Sequence, residues 1–296
     1  MSATPHRPLA AALWMGGAIF SFTAMAIAGR QVADTHDTFE IMLWRSAVGF
    51  LVVVGAALAT RRLREVRADR IGSHVIRNLF HFTGQNLWFW ALTMIPLAQV
   101  FALEFTSPIW VILLSPLVLG ERLTGPRIAA AALGFAGILI VARPDFAALN
   151  PGVLAAAGSA LFFAATTLMT KRLTRGEHIV SILFWLTLMQ FFLGLATAGW
   201  DGQIALPTAR TAPWLVLIGF CGILAHLCLT TALSLAPASY VVPIDFVRLP
   251  VIAAVGMVFY DEQVDLLVML GAAVIFIGNW INIRAETGRR TTTTTR

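Results

Sequence analysis

Four ionisable residues stand where charge is costly: Glu104, Asp245, Arg45 and Arg248 all fall inside long apolar runs. A charged side chain at the centre of a bilayer costs about 2.5–3.5 kcal/mol on insertion scales, so it is a functional candidate by default. Asp245 and Arg248 stand i and i+3, on one face of a helix and within pairing reach. Glu104 and Arg45 form a second candidate pair, both lying several residues inside the same end of their runs. Two readings stay open. Either these charges neutralise one another, or they hold the ammonium and carboxylate of a small substrate, with a carboxylate carrying a coupling proton.

A polar stripe accompanies them. Asn78, His81, Gln85 and Trp88 step by three or four residues and share one face of a third apolar run. With a rise of 1.5 Å per residue from Ser73, His81 and Gln85 lie roughly 12–18 Å deep, which brackets the bilayer midplane. Such groups face neighbouring helices or a water-filled cavity, not lipid. They either glue helices together, at about 0.6 kcal/mol per contact, or line a cavity of which Trp88 is a wall. Phe101 and Tyr240 are further wall candidates.

No chemistry of bond-making is legible. The H-E-x-x-H zinc motif, a Ser–His dyad on a Gly-rich turn and a catalytic Asp pair are all absent. Cys221 and Cys228 are seven apart in one run, about two helical turns, too far for a disulfide. No metal-ligand cluster and no cofactor are expected.

The elements that must position these residues are membrane helices. Hydrophobic residues make up 58% of the 296 and charged residues 12%, and the mean hydropathy is +0.80. A soluble domain is about half apolar and a quarter charged. The apolar runs are Leu9–Gly29, Phe39–Ala59, Ser73–Thr93, Ala98–Leu119, Leu123–Val141, Gly152–Thr170, Ile179–Gly199, Trp214–Ser234, Tyr240–Tyr260 and Val264–Ile283. Each approaches the roughly 20 residues that a bilayer core requires. The expected fold class is therefore an all-α integral membrane protein of ten transmembrane helices. Leu9–Ala28 reads as the first of them, not as a cleaved signal.

The net charge of +6 reads as topology, with no nucleic-acid partner expected. With the N-terminus in the cytoplasm, 15 of the 21 basic residues fall on the cytoplasmic side, including Arg61, Arg62, Arg64, Arg67 and Arg70. Only Arg30, Arg143 and Arg210 fall on the opposite side, and Arg45, Arg77 and Arg248 lie inside runs. That asymmetry places both termini in the cytoplasm.

The two halves are related. A shift of 141 residues brings Pro96 onto Pro237, Glu104 onto Asp245, Phe105 onto Phe246, Glu121 onto Glu262 and Gly137 onto Gly278. It also sets His226 at the level of Gln85. Five helices per copy means that the second copy enters the membrane the other way up, the inverted-repeat plan of many secondary transporters. The expected organisation is a first repeat over 1–147, an inverted second repeat over 148–288, and a polar, disordered tail over 289–296. Pro108 and Pro116 interrupt the fourth run, and Pro243 and Pro250 the ninth. Proline removes a backbone donor and kinks a helix, so these four are hinge candidates. Glu121 and Glu262, at helix ends, read as capping or loop-ordering residues.

The paired motifs, Ala91-Leu-Thr-Met-Ile-Pro96 with Leu119-Gly-Glu121 and Ala232-Leu-Ser-Leu-Ala-Pro237 with Tyr260-Asp-Glu262, resemble the EamA-type branch of the drug/metabolite transporter superfamily. The resemblance covers almost the whole chain and is greatest to the YddG-type amino-acid exporters. It implies a basket of helices around a central cavity in a bacterial inner membrane. The family's cargoes include amino acids, nucleotide-related metabolites, polyamines and drugs. The cavity candidates are then Asn78, His81, Gln85, Trp88, Glu104, His226, Tyr240, Asp245 and Arg248. Apparent balance between acidic and basic residues favours a zwitterion, so export of neutral or hydrophobic amino acids by alternating access is the expectation. A multidrug or other metabolite exporter is the alternative; an enzyme or channel ranks lower. The expected partners are a small-molecule substrate and membrane lipid, with a monomer as the expected state.

Overall fold

The computed structural model describes residues 8–119, 125–142, 150–173, 176–200, 202–235, 244–245, 247–263 and 265–293. Among these, every regular element is a helix. They are α1 (Pro8–Val32), α2 (Thr38–Ala59), α3 (Ile71–Met94), α4 (Leu97–Glu104), α5 (Ser107–Leu119), α6 (Gly125–Ala142), α7 (Pro151–Leu173), α8 (Ile179–Ala198), α9 (Ala212–Leu235), α10 (Arg248–Tyr260) and α11 (Leu266–Thr293). A 3₁₀ turn over Leu63–Glu65 joins α2 to α3.

Local sequence explains the starts. Asp37 and Glu40 form a reciprocal capping box at α2. Pro151 opens α7 at a position whose N–H has no helical partner, and the Asn150 side chain accepts from Gly152 N at 2.8 Å. Asp265 accepts from Leu267 N at 2.9 Å at the start of α11. That helix runs to Thr293. Propagating a helix costs little once nucleated, and no proline stands in its path.

Among the described residues, six segments are long and apolar enough to cross a membrane: Leu9–Val32, Thr38–Ala59, Leu97–Leu114, Pro151–Thr170, Ile179–Ala198 and Ala212–Leu229. The surface is apolar where a soluble protein's would be polar. Leu117 is 83% exposed, Val258 73% and Phe20 71%, whereas Arg45, Arg77, Asn78, His81 and Gln85 are buried. This inside-out distribution suits lipid contact.

Packing follows a two-fold scheme. α1 lies on α9 and α3 on α7, while α2 lies on α8, α4 on α10 and α6 on α11. Exchanging the helices of residues 8–142 with those of 151–293 in order, with α4 and α5 counted as one, maps this set of pairs onto itself. The α6–α11 crossing is close on both sides: a Cβ on Gly137 would stand 2.8 Å from the Gly271 carbonyl, and a Cβ on Gly271 2.8 Å from the Gly137 carbonyl. Small residues allow such approach between membrane helices. The short α4 sits at the centre, with Leu97, Val100, Phe101, Ala102 and Leu103 all fully buried.

Candidate substrate cavity

The fourth run breaks at Phe105–Thr106, between α4 and α5. Thr106 folds back there, its hydroxyl donating to the Leu103 carbonyl at 2.6 Å. Glu104 is the last residue of α4, and Asp245 lies three residues before the start of α10. Both carboxylates therefore stand at helix breaks, and one arginine joins them. Arg248 Nη2 donates to Glu104 Oε1 at 3.2 Å and to Asp245 Oδ2 at 3.0 Å. Trp88 Nε1 donates to the other Glu104 oxygen at 2.8 Å. The guanidinium is packed against Phe22, Phe101 and Phe105, with ring centroids 4.8, 5.1 and 4.9 Å away. Such cation–π contacts strengthen when water is excluded.

The expected pairing of Glu104 with Arg45 is not formed. Arg45 instead donates to Gln85 Oε1, and among the described residues its one further partner is the Met42 sulfur, 3.9 Å away. Equal depth in two runs does not fix which side chains meet; the rotation of each helix does. The Asp245–Arg248 pair forms as its spacing predicts.

The polar stripe of α3 is buried along its length, and each residue addresses a different neighbour. Asn78 donates to the His74 carbonyl at 2.8 Å, and Gln190 of α8 donates to the Asn78 carbonyl at 2.8 Å. His81 faces His226 of α9, ring centroids 5.8 Å apart, and Phe163 of α7 at 6.2 Å. His226 in turn meets the edge of Phe22 at 6.1 Å. Gln85 reaches α2 and Trp88 reaches α4. Asn78, His81, Gln85, Trp88, Glu104, His226, Asp245 and Arg248 thus line one continuous interior, from α8 across to α10.

Among the proline candidates, Pro108 falls in the first turn of α5, after the break, and Pro116 lies inside α5. Pro250 falls in the first turn of α10. Pro243, Tyr240 and Glu121 lie outside the described residues. Trp185 marks an end of the bundle: its indole N–H donates to the Arg67 carbonyl at 2.6 Å.

Spacing did not single out four participants. Phe22 is one aromatic among many in an apolar run, and Gln190 likewise has no local signature. Arg77 stands four residues before His81, on the stripe's own face, a signal the sequence does carry. Arg30 binds Glu262 across 232 residues. It also donates to the Leu92 and Ile95 carbonyls, both at 2.6 Å, while Glu262 accepts from Leu97 N at 2.9 Å. Glu262 therefore caps α4, and the pair ties together α1, the α3–α4 junction and the α10–α11 connection.

A small cavity of about 10 Å³ adjoins Arg45, Ser46, Thr187 and Gln190. A larger crevice of about 200 Å³, between α10 and α11, is lined by Leu249, Met269, Ala272, Ala273 and Phe276, and has no polar side chain to orient a metabolite.

An inside-out helical bundle with a polar, charged interior is the architecture of a multi-pass membrane protein. A model of the EamA-like transporter family matches the chain twice, over residues 9–143 and 150–284, and the chain belongs to that family. It is 30% identical to a riboflavin transporter of Rhizobium johnstonii, over 98% of this chain and 96% of that one. A pseudopaline exporter of Pseudomonas aeruginosa is 28% identical, over 88% and 91% of the two chains. An S-adenosylmethionine uptake transporter of Rickettsia conorii is 22% identical, over 88% of each. One solved crystal structure superposes with a TM-score of 0.64 at 20% identity, covering 95% of this chain and 98% of that chain.

Proposed function

We propose that this protein carries a flat, polar heteroaromatic metabolite of the riboflavin class across a bacterial inner membrane. The observation that carries this reading is the aromatic lining at the helix breaks. Trp88, Phe101, Phe22 and Phe105 surround the Arg248–Glu104 pair, and opening of the bundle would present these rings for stacking beside groups that hydrogen-bond. The likeness to a riboflavin transporter along nearly the whole chain supports the same choice. Amino acids fit less well: the balanced charges that favoured them are spent on one another at Arg248, leaving one unpaired carboxylate oxygen, Asp245 Oδ1.

The mechanism is alternating access in ten helices, arranged as inverted repeats over 1–147 and 148–288 with both termini cytoplasmic. The two-fold packing scheme supports that arrangement. In this orientation the Arg30–Glu262 tie seals the periplasmic end, and the breaks beside Pro108 and Pro250 are the hinges. Pro108→Ala and Pro250→Ala variants that transport at the wild-type rate would remove the hinge assignment. Direction follows the thermodynamic gradient of the cargo, and export remains the working expectation. Binding is tested by the fluorescence of riboflavin added to the purified protein. Quenching on binding, lost in Trp88→Ala and displaced by neither leucine nor a cationic drug, is the expected result. Displacement by leucine would return the assignment to amino acids.

A further inference from the structure

Two arginines of the interior lack a partner of opposite charge among the described residues. Glu104 and Asp245 both bind Arg248, and among the described residues the other buried carboxylates, Glu40 and Glu177, form no ion pair with Arg45 or Arg77. Both arginines are buried, 7% and 4% exposed. Among the described residues their acceptors are neutral. Arg45 has Gln85 Oε1 and the distant Met42 sulfur, and its Nε has no partner. Arg77 has Thr170 Oγ1 at 3.1 Å and Asn78 Oδ1 at 3.4 Å. A guanidinium carries five N–H donors in a fork shaped for carboxylate or phosphate. Two of them, taken out of water without a counter-charge, are expensive unless a ligand supplies it.

The same place holds unpaired polar atoms. Among the described residues, both ring nitrogens of His81 and Oε1 of Gln190 are buried without a hydrogen-bond partner, in side chains 3% and 1% exposed. Both guanidiniums lie within electrostatic reach of His81 and His226. Arg77 and His81 share one face of α3. Arg45 reaches that helix from α2 and lies against Gly222 of α9, where a Cβ would stand 2.9 Å from its Nη2.

We infer that Arg45 and Arg77, with His81 and Gln85 beside them, form a subsite for an anionic group, a carboxylate or phosphate, next to the aromatic wall of the cavity. This rests on the carrier reading and narrows its substrate class: the cargo either bears a negative charge or travels with a small anion. Charge-assisted, two-pronged hydrogen bonds from the arginines would hold it.

The test measures binding to the purified full-length protein by calorimetry, with riboflavin, riboflavin 5′-phosphate and inorganic phosphate as probes. Wild-type protein is expected to bind at least one of the two phosphate-bearing probes, and Arg45→Gln and Arg77→Gln each to weaken that binding by about tenfold or more, with Arg77→Lys, which keeps the charge, losing less. Circular dichroism and elution volume establish that each variant is folded. Preference for riboflavin 5′-phosphate over riboflavin, without binding of inorganic phosphate, places the charge on the cargo. Binding of inorganic phosphate that raises riboflavin affinity makes it a separate ion. If phosphate binds and no flavin does, the subsite stands and the flavin reading falls. If neither phosphate-bearing probe binds, or the glutamine variants bind as wild type does, the subsite is refuted.

Discussion

Arg248→Met should unbalance the centre of the protein more than any other single change. Methionine keeps the apolar stem against Phe22, Phe101 and Phe105 but removes the charge that both carboxylates share. Two charge-assisted hydrogen bonds vanish, at 3.2 and 3.0 Å, each worth about 1.5–3 kcal/mol. Glu104 keeps only the Trp88 indole, and Asp245 is left beside it as a like charge. Breaking a buried pair by removing one partner costs about 3–5 kcal/mol. At about 2–4 °C per kcal/mol, the apparent Tm should fall by about 6–20 °C. The assay is loss of helical circular dichroism in detergent at one fixed scan rate, since membrane proteins often unfold irreversibly. The triple variant Arg248→Met, Glu104→Gln, Asp245→Asn removes every charge together, and neutral replacements of a buried ion pair often break even. It should recover most of the lost stability. A fall of less than about 2 °C in Arg248→Met, worth under about 1 kcal/mol, would show that the cluster is not held by this arginine.

Further outcomes follow from other contacts. Glu262→Gln loses the Arg30 ion pair and weakens the cap on Leu97 N. At about 1–3 kcal/mol, hydrogen exchange of the amides at Leu97–Val100 should quicken by about 10- to 100-fold if the tie is what protects them; unchanged exchange would show it does not hold α4. Gly137→Ala drives a methyl into the Gly271 carbonyl and should cost about 1–3 kcal/mol in the same thermal assay. Gly16→Ala, where nothing lies within 4 Å, should leave stability equal or slightly raised. A fluorescent-protein reporter fused after Arg296 should mature in cells, and an alkaline phosphatase fused at Gln203 should be active. The reverse pattern would overturn the proposed orientation.

What the sequence disclosed was whatever repeats along one chain axis. Apolar runs, the stripe at Asn78, His81, Gln85 and Trp88, and the i, i+3 pairing of Asp245 with Arg248 all depend on local spacing; among the described residues the structure contains the stripe, the pair and six segments able to cross a membrane. The 141-residue shift that aligns Glu104 with Asp245 points at two carboxylates that one guanidinium does join. Contacts set by how helices rotate against one another stayed hidden. Arg45 and Glu104 sit at comparable depth, yet Arg45 turns to Gln85 and Glu104 to Arg248 and Trp88. Phe22 and Gln190 acquire roles only through α9, α10 and α3. Charge balance misled for a related reason. It counts residues, whereas both acids gather at one arginine and leave Arg45 and Arg77 without a counter-charge.

The measurement that bears most directly on the carrier account is counterflow in liposomes containing the purified protein, preloaded with unlabelled riboflavin and given labelled riboflavin outside. The account predicts a transient accumulation of label above equilibrium, absent from empty liposomes and lost in Trp88→Ala and Glu104→Ala. Equilibration without overshoot would indicate a passive pore. Overshoot with labelled leucine and none with riboflavin would contradict the proposed cargo.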